Sequence, residues 1–166
     1  GRIPAALEEN GQAENTVVIF TSDHGLALGS HGLMGKQNMY EHTINVPLVI
    51  RGPGFPAGKK CNAQCYLRDL VPTCLELAGI EVPASVEAAS LMPVVRGEID
   101  EVHRFIIGYF ADKQRMIRMN DWKYIYYPQV QREQLFFLAN DPFELKDLST
   151  DRRTAGIRDE LRREMI

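Results

Sequence analysis

At 166 residues, 45% of them hydrophobic and 25% charged, the chain has ordinary globular composition and is long enough for one core, or one core and a small appendage. Its formal net charge of −3 gives no bulk electrostatic support for binding nucleic acid or another polyanion, and no nucleic-acid partner is expected. No run approaches the ~18 to 20 consecutive apolar residues that a membrane span requires, so no span is expected.

The chain opens on Gly1-Arg2-Ile3-Pro4, without a methionine and directly inside a helix-like segment, so the lack of a leader carries no information. Pro4 suits the first turn of a helix and Asn10-Gly11 its end, with Ile3 and Leu7 as a weak apolar face. Residues 15–22 form a short continuous β-branched and aromatic run, which predicts a central strand buried on both faces of an α/β sheet. Residues 46–50 read the same way and stop at the turn Gly52-Pro53-Gly54. Between these strands, residues 23–45 are rich in Gly and His and lack periodicity; a segment of this kind in a compact domain is usually functional. Asp69 is expected to cap a helix whose Leu70, Val71, Cys74, Leu75 and Ala78 recur at helical spacing, with Pro72 in its first turn and Gly79 at its end. Residues 81–100, with Pro83, Pro93 and Gly97, read as connecting chain.

After about residue 103 the pattern changes. Residues 104–111, 116–119, Trp122–Tyr127 and 134–138 are short strand-like runs, and Asn120-Asp121 suits a two-residue hairpin turn. Ile157, Leu161 and Met165 mark one face of a closing helix. The expected organisation is therefore an α/β part over 1–102, then a small antiparallel sheet plus helix over 103–166. Cys61, Cys65 and Cys74 are an odd set without zinc-like spacing; they read as buried or incidental thiols, with one disulfide as the alternative.

Ligand sites in open α/β sheets form beyond the carboxyl ends of the strands, and Asp23-His24-Gly25 falls at such a place. Asp supplies a hard anionic oxygen and His a neutral nitrogen, a pairing suited to a metal or anion site. Gly29, Gly32 and Gly35 permit close backbone approach to a ligand. Lys36 would reach back to neutralise an anionic substrate as a point charge, the alternative being a solvated surface lysine. His31 is a candidate substrate contact, or else a loop histidine bonded to backbone. Trp122, Tyr124, Tyr126 and Tyr127 read as sheet core rather than a sugar platform; Arg51 and Arg118 read as surface cations unless an anionic substrate meets them; Glu41 stays unassigned.

The stretch Thr21-Ser22-Asp23-His24-Gly25, then Leu28-Gly29, His31-Gly32, Gly35-Lys36, Tyr40-Glu41 and Val46-Pro47-Leu48 resembles the sulfatase family, within the alkaline-phosphatase-like superfamily. The resemblance continues through Arg51-Gly52-Pro53-Gly54, Asp69-Leu70-Val71-Pro72-Thr73, Leu77-Ala78-Gly79-Ile80, Trp122-Lys123-Tyr124-Ile125 and the tail residues Leu135-Phe136, Asn140-Asp141-Pro142, Glu144 and Leu148. It implies the C-terminal part of an alkaline-phosphatase-like mixed sheet flanked by helices, followed by a small antiparallel α+β subdomain. Asp23 and His24 match the family's second pair of metal ligands, and Lys36 its sulfate-contacting lysine. The histidine form is similar to the iduronate-2-sulfatase and choline-sulfatase branches and to phosphonate monoester hydrolases.

The resemblance also implies a calcium ion, although calcium prefers oxygen to the nitrogen of His24. It implies a formylglycine nucleophile made within a Cys/Ser-x-Pro-x-Arg motif, and none of Cys61, Cys65 or Cys74 has Pro and Arg at those offsets. The expectation is a C-terminal fragment of a sulfate-ester hydrolase, inactive alone, acting in full length on a sulfated small molecule or carbohydrate. The alternatives are a fragment of a phosphonate or phosphodiester hydrolase, and a non-catalytic anion-binding module. Periplasmic or secreted localisation is implied by resemblance only, and an uncovered sheet predicts self-association.

Overall fold

Two sheets of opposite character organise residues 1–165, the part of the chain described by the computed structural model. The first is a two-stranded antiparallel pair: β1 (Val18–Thr21) lies against β2 (Leu48–Arg51), with Phe20 opposite Val49. The second is a meander in the order β3 (Ile106–Phe110), β4 (Gln114–Met119), β5 (Trp122–Tyr127) and β6 (Arg132–Phe137), antiparallel throughout. Five helices accompany them: α1 (Arg2–Glu9), α2 (Glu41–Ile44), α3 (Leu70–Leu77), α4 (Met92–Arg96) and α5 (Ala155–Met165). The fold is thus mixed α and β, as expected.

The expected meander forms over the expected runs. Asn120 takes φ 53° in the tight β4–β5 turn, so that Met119 faces Trp122 and Arg118 faces Lys123. Side chains alternate across this sheet, and both faces are covered. On one face Ile117, Met119, Tyr124 and Leu135 pack with Leu161, Ile157 and Met165 of α5. On the other, Met116, Ile125 and Phe136 pack with Met39, Tyr40 and Ile44, which arrive from the segment between β1 and β2. The core of the meander is therefore completed by residues more than sixty positions upstream, Ile44 packing into the cluster that holds Ile106.

Several expectations change. The run at 15–22 yields only the four residues of β1, and its partner is antiparallel; Phe20 is 64% exposed and Val49 58%. Continuous apolar character suits any sheet interior, but covering layers decide whether a strand is buried, and these two side chains face outward here. In α3 the expected stripe faces inward only in part: Leu70 and Leu75 are half-buried, Val71, Cys74 and Ala78 are exposed, and Pro72 and Thr73 are the buried residues. Thr73 turns inward because its hydroxyl donates to Asp69 O at 2.6 Å and accepts from Leu91 N at 2.9 Å. The cysteines are free thiols, as the incidental reading had it and not the disulfide; they are not buried, Cys61 and Cys74 being exposed and Cys65 half-buried.

Asp69 stands at the N-cap position of α3, but its side chain makes no cap hydrogen bond to that helix, contrary to expectation. Its carboxylate is fully buried, accepts from Tyr66 N at 2.7 Å and Ala89 N at 3.2 Å, and meets His103 Nε2 at 2.8 Å. It thereby ties the turn before α3 to the chain that enters β3. Within 81–100 a short helix, α4, forms where connecting chain was expected; Gly97 at φ 75° ends it.

Candidate active site

The chain turns sharply after β1, and Asp23, His24 and Lys36 come together there. Ser22 Oγ donates to His24 O at 2.8 Å, and His24 N donates to Asp23 Oδ1 at 3.0 Å. His24 Nδ1 lies 3.0 Å from Gly25 O. A carbonyl only accepts, so Nδ1 carries the proton and Nε2 presents a lone pair. Lys36 Nζ hydrogen-bonds that same Nε2, and Asp23 Oδ2 lies 3.3 Å from it. A carboxylate, an imidazole lone pair and an ammonium thus share one exposed corner, with the Asp23 side chain 82% exposed.

Gly25 is held from the other side. Its N–H donates to Thr43 O at 2.8 Å, and a Cβ at this position would overlap the carbonyl of His42. Glycine is therefore required here by close backbone approach. Through Gly25, the Asp23–His24 turn rests directly on α2.

The donor set fits part of a divalent-metal site. Asp23 offers hard oxygen, and with Nδ1 committed to a backbone carbonyl the His24 nitrogen that would face a metal is Nε2, which Lys36 Nζ hydrogen-bonds in this structure. Two donors are not a full shell, and among the described residues no group of three or more His, Cys, Asp or Glu converges.

His31 does not join this corner. Its ring stacks on Tyr40, 3.8 Å between centroids and 4° between planes, and Nε2 lies 3.1 Å from Phe143 O. The backbone-bonded reading describes its contacts in this structure. His31 and His42 line an open cleft of about 560 Å³ with Ser30, Phe143 and Leu145. The pKa of His42 is lowered by burial first, and then by the charges of His31 and Lys123. Arg51 pairs with Glu8 at 3.0 Å at the surface.

A second cluster escaped the sequence reading. Lys123 is fully buried, with Nζ 3.1 Å from Glu41 Oε1 and 2.7 Å from Glu144 Oε1. Glu41 Oε2 takes Arg118 at 2.9 Å and Asn45 at 3.0 Å, while Glu41 N donates to Glu144 Oε2 at 2.6 Å. Burial raises the pKa of Glu144, although Lys123 pulls it the other way. A signal for this cluster was present in the sequence. The Asn120-Asp121 hairpin sets Arg118 directly opposite Lys123, and like charges so placed repel unless carboxylates come between them.

Residues 29–166 match the family model described as N-sulphoglucosamine sulphohydrolase, C-terminal. Among curated relatives, arylsulfatase K of Bos taurus is 35% identical over 163 residues, covering 90% of this chain and 30% of that protein. Choline-sulfatase of Rhizobium meliloti is 36% identical over 160 residues, covering 92% of this chain and 31% of that protein. A protein solved in complex with its substrate D-glucosamine-2-N,6-O-disulfate superposes with TM-score 0.90 at 30% identity, over 99% of this chain and 36% of that one. The phosphonate monoester hydrolase of Silicibacter pomeroyi superposes with TM-score 0.85 at 25% identity, over 99% of this chain and 36% of its own. The chain therefore spans about a third of the length of the proteins it matches. With more than four-fifths of its residues inside the family model, this chain belongs to the N-sulphoglucosamine sulphohydrolase C-terminal family, among the sulfatases.

Proposed function

We propose that this chain supplies the electrostatic half of a sulfate-ester hydrolase site, with Asp23 and His24 as ligands of a divalent cation and Lys36 as the contact to the sulfate group. The observation that carries this reading is the convergence of Lys36 Nζ and Asp23 Oδ2 on Nε2 of His24. Attack on an anionic ester brings like charges together, and an ammonium beside a carboxylate-bound cation lowers that repulsion and stabilises charge in the transition state. A divalent ion, calcium in the sulfatase reading, would add Lewis-acid charge at this corner. Lys36 would hold and orient a sulfate oxygen, and His31 would line the approach from the neighbouring cleft. A formylglycine nucleophile would come from outside these residues, so the chain alone is expected to turn over no sulfate ester.

Sulfated carbohydrate is the favoured substrate class, supported by the sulfated-glucosamine complex of the superposed protein and by the names of the relatives. Periplasmic or secreted residence follows the same likeness; the described residues contain no helix long and apolar enough to cross a membrane. The outward-facing Phe20 and Val49 support self-association of this chain, which light scattering would show as a mass above 18.8 kDa. A second reading, phosphonate or phosphodiester hydrolysis, is favoured by His24 as a nitrogen ligand and by the likeness to the Silicibacter enzyme.

The test starts upstream of Gly1. A Cys-x-Pro-x-Arg or Ser-x-Pro-x-Arg motif there, with hydrolysis of 4-nitrophenyl sulfate by the encoded protein and its loss in Lys36→Ala, supports the sulfatase reading. Preference for phenylphosphonate esters with Mn²⁺ over Ca²⁺ would move the second reading ahead. A start codon close upstream of Gly1, with no such motif, would move the non-catalytic anion-binding module ahead.

A further inference from the structure

We propose that Lys123 and Glu41 are positioning residues for the Asp23–His24 turn, acting through α2 and Gly25. This inference rests on the reading of Asp23 and His24 as a functional pair.

The chain of contacts runs without a gap. Arg118 and Lys123 are cross-strand neighbours on the face of the meander that looks toward α2. Glu41, the first residue of α2, places one carboxylate oxygen on each of them, at 2.9 Å and 3.1 Å. Glu144 closes the arrangement: one oxygen meets Lys123 at 2.7 Å, and the other accepts from the backbone N–H of Glu41 at 2.6 Å. Two cations thus face two carboxylates, and the side chains of Lys123 and Glu144 are 0% and 1% exposed. Such pairs are geometrically strict, because a shift of either partner leaves a charge unpaired away from water. At its other end, α2 holds Gly25 through Thr43 O and leaves no room for a side chain there against His42 O. Gly25 O in turn fixes the tautomer of His24.

The second sheet therefore sets where the ligand pair on the first sheet stands. Outer-layer partners of this kind orient ligating groups without touching the ligand themselves. Three stretches that carried the resemblance without an assigned role, Tyr40-Glu41, Trp122-Lys123 and Asp141–Glu144, become parts of one device.

The experiment uses the 166-residue chain in three variants: Glu41→Gln, Lys123→Met and Lys123→Arg. Amide hydrogen exchange is followed at Gly25 and, as the internal reference, at Ile117 and Ile125 in the meander. Mn²⁺ is then titrated, and paramagnetic broadening of the His24 ring signals is read. In Glu41→Gln, Gly25 is expected to exchange about tenfold faster or more, and broadening to need about tenfold more Mn²⁺, while Ile117 and Ile125 keep parental protection. Lys123→Arg, which keeps the cation, is expected to fall between parent and Lys123→Met.

Unchanged Gly25 exchange in a folded Glu41→Gln chain would overturn the proposal. So would a uniform loss of protection at Gly25, Ile117 and Ile125 in both Glu41→Gln and Lys123→Arg, since the cluster would then serve stability alone. If the parent itself shows no Mn²⁺ broadening at His24, the metal reading fails, and Gly25 exchange still decides the positioning claim.

Discussion

The two sheets differ in how they are supported. In the meander, Tyr124, Ile125, Leu135, Phe136 and Leu161 are fully or almost fully buried, with α5 on one face and residues 39–44 on the other. In the β1–β2 pair, the cross-strand neighbours Phe20 and Val49 face outward. Yet the pair carries the Asp23–His24–Lys36 corner. A two-stranded sheet is marginal by itself, and loops that bind ligands are drawn from the less stable end of a structure. The difference teaches where support can come from: the proposed site sits on the weaker sheet, and we propose that it takes its placement from the stronger one through Glu41 and Gly25.

The largest expected effect tests whether the stronger sheet is independent. We propose 1–102 and 103–166 as units of architecture and not of independent folding. Residues 103–166 expressed alone are expected to lose sharp near-UV circular dichroism, because Met39, Tyr40 and Ile44 leave one face of the meander and Lys123 loses Glu41. A cooperative thermal transition in that piece would break the comparison.

Next comes Lys123→Met in the whole chain, which leaves Glu144 buried without its cation; about 3–5 kcal/mol of stability should be lost, read by urea unfolding. A loss below about 1 kcal/mol would mean that the cluster relaxes to admit water.

Matched truncations then compare the sheets directly. Leu161→Ala, at a fully buried position under the meander, should cost about 2–5 kcal/mol. Phe20→Ser on the exposed face of β1 should stay within about 0.5 kcal/mol at chain concentrations low enough to keep it monomeric. Equal costs would show that Phe20 is covered in solution, as self-association through that face would bring about.

The smallest effect concerns the turn before α5. Asp151 accepts from Arg153 N at 2.9 Å and pairs with its guanidinium, and these hydrogen bonds hold its pKa down at about 2. A carboxylate whose folded pKa is depressed stabilises in full above its unfolded pKa and loses that contribution as pH falls through the folded value. Asp151→Asn should therefore lower the melting temperature slightly at neutral pH, with the difference from the parent vanishing as pH falls through about 2. A difference that persisted at lower pH would assign the effect to backbone capping and not to charge.

Much of this molecule is legible in its residues. The four strands of the meander, the Asn120-Asp121 turn, α1 and α5 follow from period, turn chemistry and helix-end residues, all of which act within a few positions of one another. The corner of Asp23, His24 and Lys36 was legible too, because a strand end followed by glycines is a local pattern. The antiparallel pairing of β1 with β2, the exposure of Val71, Cys74 and Ala78 in α3 and the burial of Asp69 against His103 were not legible, since each depends on what lies across a gap in the chain. Above all, the facing pair of Arg118 and Lys123 signalled only a need for carboxylates, and tertiary structure decided that Glu41 and Glu144 meet it. Each reads locally as an ordinary surface charge, and only when β5 and α2 remove them from water does mutual pairing become obligatory.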